Sequence, residues 1–157
     1  MDFVALLEES FAFEQPERGD LLTGTGRLSE RPRDDVWSPL EYGCHVRDVF
    51  RLYDERLVMM LTADHPTFPN WDQDATAVAE RYGEQDPVRV AADLVAAGRA
   101  LADRFDDVRG DQWGRTGTRS DGARFTVTTF ARYLVHDPVH HLYDVTGRRP
   151  GPDGAPA

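Results

Sequence analysis

Residues 133–143 read YLVHDPVHHLY and hold three of the five histidines of the chain. On a helix, His136 and His140 stand four positions apart and project from one face, about one turn from each other. Two imidazoles so placed hold a metal ion from one side, as the paired histidines of H-E-x-x-H helices do. A catalytic metal usually takes three protein ligands and keeps one position open. His45, far upstream in a second helical stretch, is the candidate third ligand. The expectation is a His45–His136–His140 metal site between two helices. The ordinary alternative is that the paired histidines cap, pair or face water, and that His45 is a core histidine bonded to a carbonyl or carboxylate.

Outward from that stretch, the last helix is expected from about Thr126 to Thr146, with Gly147 as its stop. Pro138 falls between the two histidines. In mid-helix it removes a backbone donor and bends the helix, which would re-aim both imidazoles. His45 sits in a helix with a strong start signal. Ser38 caps, Pro39 suits the first helical position, and Glu41 completes a capping box. That helix is expected to reach about Thr62, with Val46, Val49, Phe50, Tyr53, Leu57 and Met60 as its apolar stripe.

Residues 63–74, ADHPTFPNWDQD, read as a loop, because two prolines and an asparagine interrupt any helix. Phe68 and Trp71 are too large and apolar to leave in water, so the loop packs over the bundle end or covers a pocket. His65 is expected to face solvent. A short helix follows over Ala75–Tyr82. Asp86-Pro87 then repeats the cap-plus-proline start and opens a helix to about Val108. Its stripe is read as Val88, Ala91, Ala92, Val95, Leu101, Ala102 and Phe105. Gly110–Ala123 is read as a polar connection with a turn at Asp121-Gly122 and Trp113 as a plug. At the front, Asp2–Gln15 reads as a helix, followed by a loop rich in glycine and proline up to Trp37. Residues 148–157 read as a disordered tail. The expectation is one all-α domain over residues 1–147, a four-helix bundle with a short extra helix and long loops.

Composition limits the function. The chain has 157 residues and a formal net charge of −10, with no basic cluster carrying interleaved aromatics. That disfavours nucleic acids and anionic membranes as partners. One cysteine, Cys44, excludes an internal disulfide and any multi-cysteine zinc module. There is no signal-peptide pattern and no apolar run long enough to span a membrane, which makes the cytoplasm the default compartment. No E-x-x-H occurs, so the paired motifs of a di-iron bundle are missing.

Two stretches, WSPLEYGCHVRDVFRLYDERL around His45 and FARYLVHDPVHHLYDV around His136 and His140, carry a family resemblance. The chain resembles the DinB-like superfamily of four-helix bundles, which includes thiol-dependent maleylpyruvate isomerases and the mycothiol and bacillithiol S-transferases. The resemblance implies a divalent metal, commonly zinc or nickel, on His45, His136 and His140. It also implies a low-molecular-weight thiol as co-substrate, a small-molecule substrate and a homodimer. The departure is at the front, where a short helix and a Gly/Pro-rich stretch replace a long first helix.

Three neutral imidazoles leave such an ion dipositive, able to ionise a thiol or a water. Three functions therefore compete: a thiol-activating transferase, a hydrolase on the same site, and a non-enzymatic binding or stress-response bundle. Glu41, Asp48 and Asp144 lie one turn from a candidate ligand and are the acids placed to orient one, although a solvated surface acid is the ordinary expectation for each. Helical geometry moves Asp137 and His141 off the metal face. Tyr133 and Tyr143 flank it, where core packing is the expectation and a pocket wall the alternative. Arg132, one turn before His136, is placed to meet an anion, although an ion pair with a nearby acid is the ordinary expectation. Cys44 reads as a small buried hydrophobe.

Overall fold

The computed structural model describes residues 28–135. The expected first helix, the His136–His140 pair, Pro138 and the tail lie outside the described residues. Helix α1, Pro39–Thr62, begins as its first turn dictates. The Ser38 hydroxyl accepts from the Glu41 amide at 3.2 Å, and the Glu41 carboxylate accepts from the Ser38 amide at 2.8 Å. At the far end, the Arg115 guanidinium donates to the Met60 carbonyl at 2.6 Å and also to that of Ala63. Carbonyls that the helix end leaves open thus find a donor from a distant part of the chain.

Every residue of the expected α1 stripe is buried. It packs along α3, Pro87–Asp106, which starts at the expected Asp86 cap. Phe50 lies where α3 carries Gly98. A Cβ there would stand 3.2 Å from the Phe50 ring. Arg104 pairs with Asp54 across the same interface. The α3 stripe differs from its reading in the first half. Val90 and Leu94 face the core with Gly98, Leu101, Ala102 and Phe105, whereas Val88 is 61% and Val95 45% exposed. The reading leaned on Ala91 and Ala92, and alanine is nearly indifferent to burial, so the phase of the stripe was set by the wrong residues.

Between these helices, α2 spans Gln73–Ala79, capped by Asp72, whose carboxylate accepts from the Ala75 amide at 2.9 Å. A 3-10 turn, Tyr82–Glu84, follows in place of the last part of the expected short helix. Tyr82 is fully buried against Leu40, Cys44 and Val90 and closes the cap end of α1.

The connection after α3 is more ordered than its polar composition suggests. A 3-10 turn covers Gly110–Gly114, where Trp113 stacks on Phe105 with centroids 6.3 Å apart, as a plug should. Strand β2, Thr116–Arg119, and β3, Arg124–Thr126, then form an antiparallel hairpin around Asp121-Gly122. Inside the expected loop, Thr67–Phe68 forms β1 and pairs in parallel with β2, Thr67 opposite Thr118 and Phe68 opposite Arg119. The bundle therefore carries a small three-stranded sheet, β1-β2-β3. Residues 127–135 are helical and form α4 within the described residues, with Val127, Phe130 and Leu134 in the core.

The sheet meets the core at Gly117. A Cβ there would fall 2.8 Å from Phe68 and 3.0 Å from Met60. Gly117→Ala should therefore destabilise the fold by about 1–3 kcal/mol through overpacking. Chemical denaturation of the two proteins measures it, and equal midpoints would show that the sheet does not bear on the core.

Candidate metal centre

His45 is set into α1 about a quarter turn from the core stripe. Its side chain is 1% exposed, and both ring nitrogens are sealed from solvent. Two indoles hold it. Trp71, from the 63–74 loop, stacks on the imidazole at 5.3 Å with planes 8° apart, and Trp37 meets it at 5.2 Å and 58°. The loop thus takes both of its expected parts: Phe68 packs in the core and Trp71 covers His45. The sheet makes this possible, because β1 and the Asn70 amide bonded to Ser120 Oγ at 2.8 Å fix the loop across the site.

Stacking occupies the faces of the imidazole ring. The lone pair of a neutral ring nitrogen lies in the ring plane. Trp71 therefore fixes the orientation of His45 without covering the direction in which it would coordinate. This donor fits a metal of the kind that imidazole binds.

His45 lies on the wall of a cavity of about 140 Å³. Val49, Leu52 and Arg56 continue that wall along α1, at helical spacing from His45. Asn70, Trp71 and Gln73 come from the loop and α2, Arg119 from β2, and Tyr133 from α4. Tyr133 stands three residues before His136 and is 47% exposed, so it lines the pocket rather than the core. Of the three expected ligands, His45 is placed, while His136 and His140 lie outside the described residues. Among the described residues no three metal-ligating side chains stand together.

The acids beside His45 have other work. Glu41 is held by Arg31 (Nη2 to Oε1, 2.6 Å) as well as by its cap. Asp48 receives Arg47 Nε at 2.8 Å and the Tyr82 hydroxyl at 2.7 Å. Burial pushes both carboxyls up, but these donors more than offset it and hold them below the usual carboxylate range. Cys44 is fully buried with its sulfur toward the Tyr82 carbonyl, and burial pushes its thiol up to about 11. At neutral pH it is a thiol, not a thiolate. His65 faces solvent, as expected, with its ring nitrogens at the hydroxyls of Thr116 (2.6 Å) and Thr118 (3.1 Å). Arg132 is exposed and does not line the cavity.

Sequence reasoning missed Arg56 and Arg119. Arg56 is only 5% exposed, and burial pushes its guanidinium below its ordinary value. The signal was available in part: positions 45, 49, 52 and 56 recur at helical spacing, so the face that carries His45 reaches Arg56 three turns on.

A family profile described as the DinB superfamily matches residues 20–145 of the sequence. Among solved structures, the chain is similar to YfiT from Bacillus subtilis, described as a probable metal-dependent hydrolase with an unusual four-helix bundle topology. The TM-score is 0.73 at 18% identity, covering 92% of this chain and 82% of that one. The likeness shows that the fold is a four-helix bundle. A comparison with curated proteins finds no match.

The depressed carboxyls at the cap end of α1 fix an acid response. In the unfolded chain, Asp and Glu titrate near pH 4. The stability that Asp48 and Glu41 contribute is present in full above that value and is lost as pH falls through their lower folded values. Asp48→Asn should cost about 3 kcal/mol at pH 7, because Arg47 is left buried without its partner. The loss should shrink as the pH falls below about 4. Thermal melts of both proteins from pH 7 to pH 3 measure it; a constant difference across that range would contradict the assignment.

Proposed function

The chain belongs to the DinB superfamily, and on that premise we propose that it is a transferase. It activates a low-molecular-weight thiol of the mycothiol type at a divalent metal held by His45, His136 and His140. One observation carries this reading most. His45 is buried and held by two indoles on a cavity wall that it shares with Tyr133, three residues before His136. Zinc and nickel suit an all-imidazole donor set. Such an ion, when bound, supplies Lewis acidity that keeps a thiol ionised at neutral pH.

The residues of the chain set the rest. Trp71 and Trp37 fix the plane of the His45 ring, so its nitrogen is aimed before any ligand arrives. Trp71 also roofs the cavity and limits water around a sulfur nucleophile. That sulfur must come from outside the protein, since Cys44 is sealed and neutral. Hydrolysis is the second reading. It is favoured by the structural likeness to YfiT, and turnover without added thiol separates it from the first.

Cobalt(II) reconstitution tests the site and its nucleophile together. The native protein should show a tetrahedral cobalt spectrum and gain a sulfur charge-transfer band when a small thiol is added. His136→Ala should weaken cobalt binding by about 100-fold or more, while His65→Ala should leave it unchanged. Equal spectra for both variants would remove His136 from the metal, and a native spectrum blind to thiol would move the reading to hydrolysis.

A further inference from the structure

Arg56 is the one described arginine buried to 5% exposure that has no carboxylate partner among the described residues. Its Nη2 donates to the Pro69 carbonyl at 2.6 Å, and the guanidinium lies 4.9 Å from the centre of the Phe68 ring. Nε is buried and makes no hydrogen bond. The comparison within the protein is direct. Arg47, equally buried, is matched by Asp48, and Arg119, on the same cavity, is matched by Asp121 at 2.7 Å. Fixing the loop through Pro69 uses one of the five donors of Arg56. A neutral side-chain amide could do that without burying an unmatched charge, which is costly.

Arg56 and His45 stand at two ends of one wall. They are eleven residues apart on α1, about 16 Å along the axis. Helical side chains lean toward the N-terminus, so the long arginine reaches back toward His45 and shortens that gap. The cavity between them is about 140 Å³, the scale of a small metabolite.

We propose that Arg56 is the anion-recognition residue of this cavity and binds the carboxylate of a short-chain carboxylic acid substrate, with the reacting end toward His45. A planar carboxylate matches the guanidinium fork and supplies the charge that Arg56 lacks. Arg119, its charge balanced by Asp121, closes the far wall and Tyr133 lies beside it. The substrate's reacting end rests on the metal reading above; the carboxylate end does not.

The test is therefore run on metal-free, full-length protein, so a failed metal site leaves it standing. Succinate and glutarate are titrated while the indole N–H signal of Trp71 is followed by NMR, with succinamide as the uncharged control and inorganic phosphate as a second anion. Both dicarboxylates should shift the signal and succinamide should not. Arg56→Gln should weaken binding by about tenfold or more. Arg132→Gln, off the cavity, should leave it unchanged. Should Arg56→Gln not fold, Arg56→Lys keeps stem and charge, and a several-fold loss is expected from the missing fork. No response in the native protein, native affinity in the Arg56 variant that folds, or tighter binding of phosphate or succinamide than of the dicarboxylates would overturn the proposal.

Discussion

The close approach of α1 to α3, with Phe50 lying over Gly98, decides which sides of α1 remain for other partners. With α3 on one side, the core stripe of α1 is taken by Tyr53, Leu57 and Met60 against Phe68, Phe105 and Phe130. The face a quarter turn away is left to the loop, the sheet and α4, and this is the face that carries His45 and Arg56. A side chain at position 98 would press on the Phe50 ring, which would have to give way by a few tenths of an ångström.

Beside Val49 and Leu52, that second face carries two buried polar side chains, His45 and Arg56. The buried polar groups of α1 are of two kinds. Glu41, Arg47 and Asp48 are matched within the protein, so their burial is offset locally and secures the start of α1. Arg56, with no carboxylate partner among the described residues, lines the cavity that His45 also borders. Burial of an unmatched charge costs free energy, and a fold that retains one on a cavity wall is shaped by what the cavity receives. The small sheet belongs to the same account. It adds Phe68 to the core and carries the loop with Trp71 and the strand with Arg119 to the cavity.

Local signals in the sequence proved the most legible. Ser38, Pro39 and Glu41 sit within one turn, so the start of α1 needed no tertiary information, and its stripe of large residues left one phase open. The sheet was not legible. Its strands run only two to four residues, too short for periodicity to announce them, and β1 pairs with β2 across some fifty positions of the chain. On α3, Ala91 and Ala92 blurred the face that Val90 and Leu94 define in three dimensions. Arg56 carried no motif of its own, although its spacing from His45 placed it on the cavity face. His45 was legible as a histidine beside an apolar stripe. Its two indole neighbours come from sequence positions that only the folded loop brings together.

The central claim is that His45 is one ligand of a metal site completed by the last helix. Elemental analysis of the full-length protein, purified without a histidine tag, tests it most directly when run on the native chain and His45→Ala side by side. The account predicts close to one zinc or nickel per chain in the native protein and loss of that metal in the variant, with the helical content of both alike by circular dichroism. A native protein without metal even after reconstitution, or a variant that retains it in full, would contradict the account and make His45 a stacked core residue between two tryptophans.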